Sequence, residues 1–108
     1  TDLQPILRVL VEGRTLTEAD AERAFEILLS GAATDAQIGA MLAVIAARPT
    51  GPTVDELVGA ARVMRRCATP VPRPTSGPFA GAVTIDTCGT GGAPKLFNIS
   101  TIGAIIVE

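Results

Sequence analysis

The stretch DTCGTGGAPKLFNIST, residues 86–101, stands between a β-branched run, Val83, Thr84 and Ile85, and a strongly apolar run, Ile102–Val107. That order predicts a short strand, a glycine-rich loop and a helix. Gly89, Gly91 and Gly92 allow positive φ and close backbone approach to a ligand, and Asn98, Ser100 and Thr101 are side chains suited to opening a helix. Unpaired N–H groups at a helix start carry partial positive charge, so the arrangement suits an anion. GTGG alone is more readily explained as a tight strand-to-helix turn with no ligand, because glycine-rich turns are common.

Outward from this corner, Pro70, Pro72, Pro74, Gly77, Pro78 and Gly81 form a segment that cannot hold a helix and tends to extended structure. It predicts a linker over residues 70–82, between an N-terminal domain at 1–69 and the start of a second, incomplete domain at 83–108.

The first 69 residues read as four helices. Leu3, Ile6, Leu7 and Leu10 share one face of a helix over 3–12 that Gly13 ends. Thr17 with Asp20 opens a helix over 18–30 carrying Ala21, Ala24, Phe25 and Leu28. Thr34 with Gln37 is a capping box for a helix over 35–47, with Ile38, Met41, Leu42 and Ile45 as its stripe and Pro49 closing it. Thr53 with Glu56 opens a fourth, lined by Leu57, Val58, Ala61 and Met64. Short loops between them favour an antiparallel bundle. The expected fold is therefore mainly α: a helical bundle, then the first strand, glycine loop and helix of a larger α/β domain. The last of these helices, from Ile99 to Val107, is apolar nearly all round, which predicts burial against chain beyond residue 108.

Composition narrows the function. Hydrophobic residues make up 47% and aromatics 3%, so the core must be aliphatic and there is no Trp or Tyr for base stacking. A net charge of −2 gives no electrostatic footprint for nucleic acid. No apolar run approaches the ~20 residues that span a bilayer, and a cytoplasmic protein is expected. Cys67 and Cys88 lack the paired spacing of a zinc or redox motif and are expected to be buried thiols. No histidine exists and no serine or cysteine has a paired base, so no catalytic nucleophile is assigned.

DTCGTGG followed by FNIST resembles the pyrophosphate-binding loop of the anthranilate phosphoribosyltransferases, and LTEADAERAFEILLSGAATDAQIGAMLAVIAARPTGPTVDELVGAARVMRR resembles that family's helical region. The resemblance implies a Mg²⁺-dependent transferase of tryptophan biosynthesis acting on phosphoribosyl pyrophosphate (PRPP) and anthranilate, dimerising through its helical domain and hinged at the linker. It implies that the backbone of Gly89, Thr90, Gly91 and Gly92 holds the pyrophosphate, that Asn98 and Thr101 contact PRPP, and that Ser100 helps carry Mg²⁺. Lys95 lies within the loop and either faces phosphate or is simply exposed. Asp86 either serves the ligand or orders the turn. Arg62, Arg65 and Arg66 either steer anions or form a solvated helix end. Ala93 and Leu96 stand where the family usually has an acidic residue and a threonine, and the loop is one residue shorter. Those departures and the early stop support a second reading, a helical association module with a binding-only or relic loop; a third is a nucleoside phosphorylase, because the related pyrimidine nucleoside phosphorylases share the architecture the resemblance implies.

Overall fold

The computed structural model describes residues 2–89, 91 and 99–107. Among the described residues there are five helices: α1 Gln4–Val11, α2 Glu18–Leu29, α3 Asp35–Ala47, α4 Val54–Cys67 and α5 Ile99–Val107. The chain divides into two compact units, Thr1–Pro70 and Val71–Glu108.

In the first unit the helix ends are set by local chemistry. Thr17, Thr34 and Thr53 each accept a hydrogen bond from the backbone N–H three residues on, at 3.1–3.2 Å. The Gln37 and Glu56 side chains accept in return from the backbones of Thr34 and Thr53, both at 3.0 Å, which completes two capping boxes. Gly13, at φ 80°, turns the chain out of α1 while its N–H and that of Arg14 close on Leu10 and Val9. Arg48 is extended, as a residue before proline must be, and α3 stops at Ala47.

Leu3, Ile6 and Leu10 from and before α1, Leu16, Ala21, Ala24 and Ile27 from and before α2, and Met41 and Ile45 from α3 form one buried cluster. α1 packs on α3, and α2 on α4. The helix α4 differs from its sequence reading: Leu57 and Met64 are exposed, and the buried positions are Glu56, Gly59 and Val63. The reason is steric. A Cβ added at Gly59 would stand 2.6 Å from the Glu18 carbonyl oxygen and 2.7 Å from the Ala21 Cβ, so α4 turns its smallest residue towards α2 and the two backbones nearly touch. Leu42, on the expected α3 stripe, is also exposed.

In the second unit, paired turns close at Ala80 N–H to Gly77 and Ala82 N–H to Phe79. Residues 82–89 carry no regular secondary structure, and the expected strand at Val83–Ile85 is absent. A strand exists only through ladder hydrogen bonds to a neighbour, and no described residue offers one. Val83 and Ile85 are accordingly exposed. The α5 helix spans the expected residues, with Ile102, Ile105, Ile106 and Val107 all exposed.

Candidate anion-binding loop and its helix

Upstream of the loop, the Asp86 carboxylate Oδ1 accepts a hydrogen bond from the Cys88 N–H at 2.8 Å. This closes an Asx turn two residues long. The hydrogen bonds from the Cys88 backbone and thiol hold the Asp86 carboxyl below its ordinary range, so it is charged at neutral pH. The turn-ordering reading of Asp86 therefore has a visible partner.

Gly89 follows directly. A Cβ built there would lie 3.8 Å from the Ser100 Oγ, so the loop entrance and the first turn of α5 face each other across a gap that a glycine leaves open. Gly91 sits at φ 78°, a left-handed conformation that branched side chains resist. Ser100 is exposed in the first turn of α5, and the Thr101 backbone is the next step of the same turn. Of the expected site residues, Gly89, Gly91 and Ser100 are thus described here, and Thr101 by its backbone. Thr90, Gly92, Lys95 and Asn98 lie outside the described residues, as do Ala93 and Leu96. A lone neutral hydroxyl is one hard oxygen donor, a fit for Mg²⁺ when phosphates and water complete the octahedron. Among the described residues no cluster of three or more acidic or thiol side chains could hold a metal by itself.

The arginine cluster has another use. Arg62 pairs with Glu18 and Glu22, and Arg66 with Glu22 and Glu26, so the C-terminal half of α4 is laced to α2. Hydrogen bonds from Arg66 and Arg62 hold the Glu22 carboxyl below its ordinary range. Both thiols are exposed, contrary to expectation. Cys67 is the last residue of α4, beyond its final buried position Val63, and Cys88 lies where no described residue is buried.

A further group escaped the sequence reading. Glu56 is only 3% exposed, and its carboxylate accepts from Arg48 at 2.7 and 2.8 Å, from the Leu16 N–H at 2.9 Å and from the Thr53 N–H at 3.0 Å. Arg48 also donates to the Arg14 carbonyl at 3.2 Å. Burial pushes the Glu56 carboxyl up, but the bonds from Arg48, Leu16 and Thr53 outweigh it, and the group is held below its ordinary range. This node joins the end of α3, the start of α4 and the α1–α2 connection. The capping box was the only signal for it, because the other partners are remote in sequence.

The sequence that forms the helical unit and the glycine corner has known relatives. The profile described as "Glycosyl transferase family, helical bundle domain" matches residues 4–68, and the chain belongs to that family. Among curated relatives it is similar to an anthranilate phosphoribosyltransferase of Azospirillum brasilense, 47% identical over 99% of the chain and 28% of the relative. Enzymes of that name from Solibacter usitatus and Geobacillus stearothermophilus are 52% and 43% identical over 97% and 98% of the chain, and 29% of each relative. The chain thus spans less than a third of the length of these relatives. No solved structure matches it. Among the described residues no helix is long and apolar enough to cross a membrane.

Proposed function

We propose that the chain is the N-terminal portion of an anthranilate phosphoribosyltransferase, a cytoplasmic enzyme that moves phosphoribose from PRPP to the anthranilate amine and releases pyrophosphate. The observation that carries this reading is the identity to enzymes of that name across 97–99% of the chain, the glycine corner included. In this reading residues 1–69 are the helical domain, 70–82 a hinge and 83–108 the opening strand, loop and helix of an α/β domain. The strand acquires its ladder from the remaining chain.

The loop's task is electrostatic. As the C–O bond to pyrophosphate breaks, negative charge grows on the leaving group and the sugar becomes oxocarbenium-like. In this reading the backbone N–H groups of residues 89–92 would donate to that charge, and donors positioned in advance need no reorganisation during the step. Gly91 at φ 78° gives the backbone its approach. Asn98 and Thr101 orient PRPP, Lys95 adds a positive charge at the phosphates, and Ser100 supplies one oxygen to Mg²⁺. When bound, Mg²⁺ neutralises phosphate charge. The helical domain forms the homodimer contact: after Asp35, α3 has no charged residue and still exposes Leu42.

The test is a chimera in which these 108 residues replace the matching segment of the Azospirillum brasilense relative. The chimera forms product from PRPP and anthranilate, whereas the isolated 108-residue chain forms none. Gly91→Val abolishes activity without lowering the melting temperature, and Ser100→Ala raises the Mg²⁺ concentration needed for half-maximal rate. Unimpaired PRPP use by the Gly91→Val chimera would remove the loop from the site.

A further inference from the structure

The α4 helix is held differently from its neighbours. The buried apolar cluster is built from α1, α2 and α3 with Leu16 and contains no residue of α4. Of the fourteen residues of α4, only Glu56, Gly59 and Val63 are buried, and Glu56 and Gly59 offer no apolar side chain of size. Beyond Val63 nothing in α4 is buried: Met64 is 57% exposed, and the last turn meets the bundle through Arg66 on Glu22 and Glu26. Its first turn, by contrast, carries the Glu56 node and a capping box.

From this asymmetry we infer that α4 is a latch helix: its last turn, Met64–Cys67, opens from α2 ahead of the α1–α3 core, with Arg66 on Glu22 and Glu26 as the catch and the Glu56 node and the buried Val63 as the fixed part. The catch is exposed and therefore screened by salt, since the Debye length falls from about 10 Å at 0.1 M to about 3 Å at 1 M. The node is buried and screened far less. The latch leads into the segment that joins the two units, so its opening lengthens the free connection between them by the residues released.

Native-state hydrogen exchange on the 108-residue chain, read at single amides in 0.05 M and 1 M NaCl, tests this. The end of α3 is the contrast, because Arg48 ties it into the buried Glu56 pair, which salt screens little, whereas the end of α4 is held by exposed pairs. Ordinary fraying of α4 keeps the same salt response when Arg66 is removed; a salt-released latch loses it. The expected result is exchange at Met64–Cys67 several-fold faster in 1 M NaCl, with Val44–Ala47 and the α1 amides unchanged. Arg66→Ala should produce the same selective acceleration at low salt and abolish most of the salt response. Equal salt responses at the two helix ends, or an Arg66→Ala variant in which α1 and α4 accelerate together, would overturn the inference.

Discussion

The two units of this chain put similar side chains to opposite use. In Thr1–Pro70, aliphatic residues at helical spacing vanish into a core, and three of the four helices begin with a threonine cap. In Val71–Glu108, residues at least as apolar, Val83, Ile85, Ile102, Ile105, Ile106 and Val107, lie exposed, and no residue of described burial is buried. Hydrophobicity drives folding only where a second apolar face is available to meet it. The first unit carries its own counter-faces, and the second does not carry them within the described residues.

If stability resides in the first unit, the largest loss should come from its one buried charge. Glu56→Ala leaves the mostly enclosed Arg48 without its partner and frees the Leu16 and Thr53 N–H groups, and about 3–5 kcal/mol should be lost in urea unfolding. Glu56→Gln keeps the shape and should cost less. The same group sets an acid limb. Its folded pKa lies below its unfolded one, so the unfolded state takes up the proton first; the stabilisation is complete above the ordinary glutamate range and disappears as pH falls through the depressed folded value. A urea midpoint followed downwards from pH 6 should fall more steeply in the wild type than in Glu56→Gln.

Glycine to alanine in a helix normally stabilises, and two sites separate packing from propensity. Gly59→Ala places a methyl against the Glu18 carbonyl and Ala21, and should destabilise by about 1–3 kcal/mol by overpacking. At Gly39, in α3, an added Cβ meets nothing within 4 Å, and Gly39→Ala should stabilise by about 0.5–1 kcal/mol. Opposite signs in thermal melts would confirm that the α2–α4 crossing is set by backbone contact; like signs would refute it. The smallest effect belongs to the second unit. Ile106→Ser should leave the helical unfolding transition within about 0.5 kcal/mol of wild type, and a larger shift would break the contrast between the units.

Much of the first unit is legible in sequence because its signals are local. Thr34 and Gln37, Thr53 and Glu56, Gly13, and Arg48 before Pro49 act within a few residues, and the helix ends follow them. The face of α4 was not legible. Counting apolar residues favours Leu57 and Met64, whereas the structure selects Gly59, whose value depends on a neighbour about forty residues earlier. Glu56 shows both sides: its capping role is written in the sequence, but its bonds to Leu16 and Arg48 are not. The strand at Val83–Ile85 was legible as propensity and absent as structure, because pairing is not a property of one segment. At the glycine corner, sequence marks Gly89, Gly91 and Ser100, and the approach of Gly89 to Ser100 becomes visible only once α5 is placed.

Cys67 and Cys88 are each exposed, one at the last residue of α4 and the other at the entrance to the glycine corner. They are the only cysteines in the chain, and they bracket residues 70–82 from opposite units. Nitroxide or fluorophore labels therefore go onto the native thiols with no engineered mutation, and dipolar or energy-transfer spectroscopy on the doubly labelled chain reads the separation of the two units directly, as a distribution of distances.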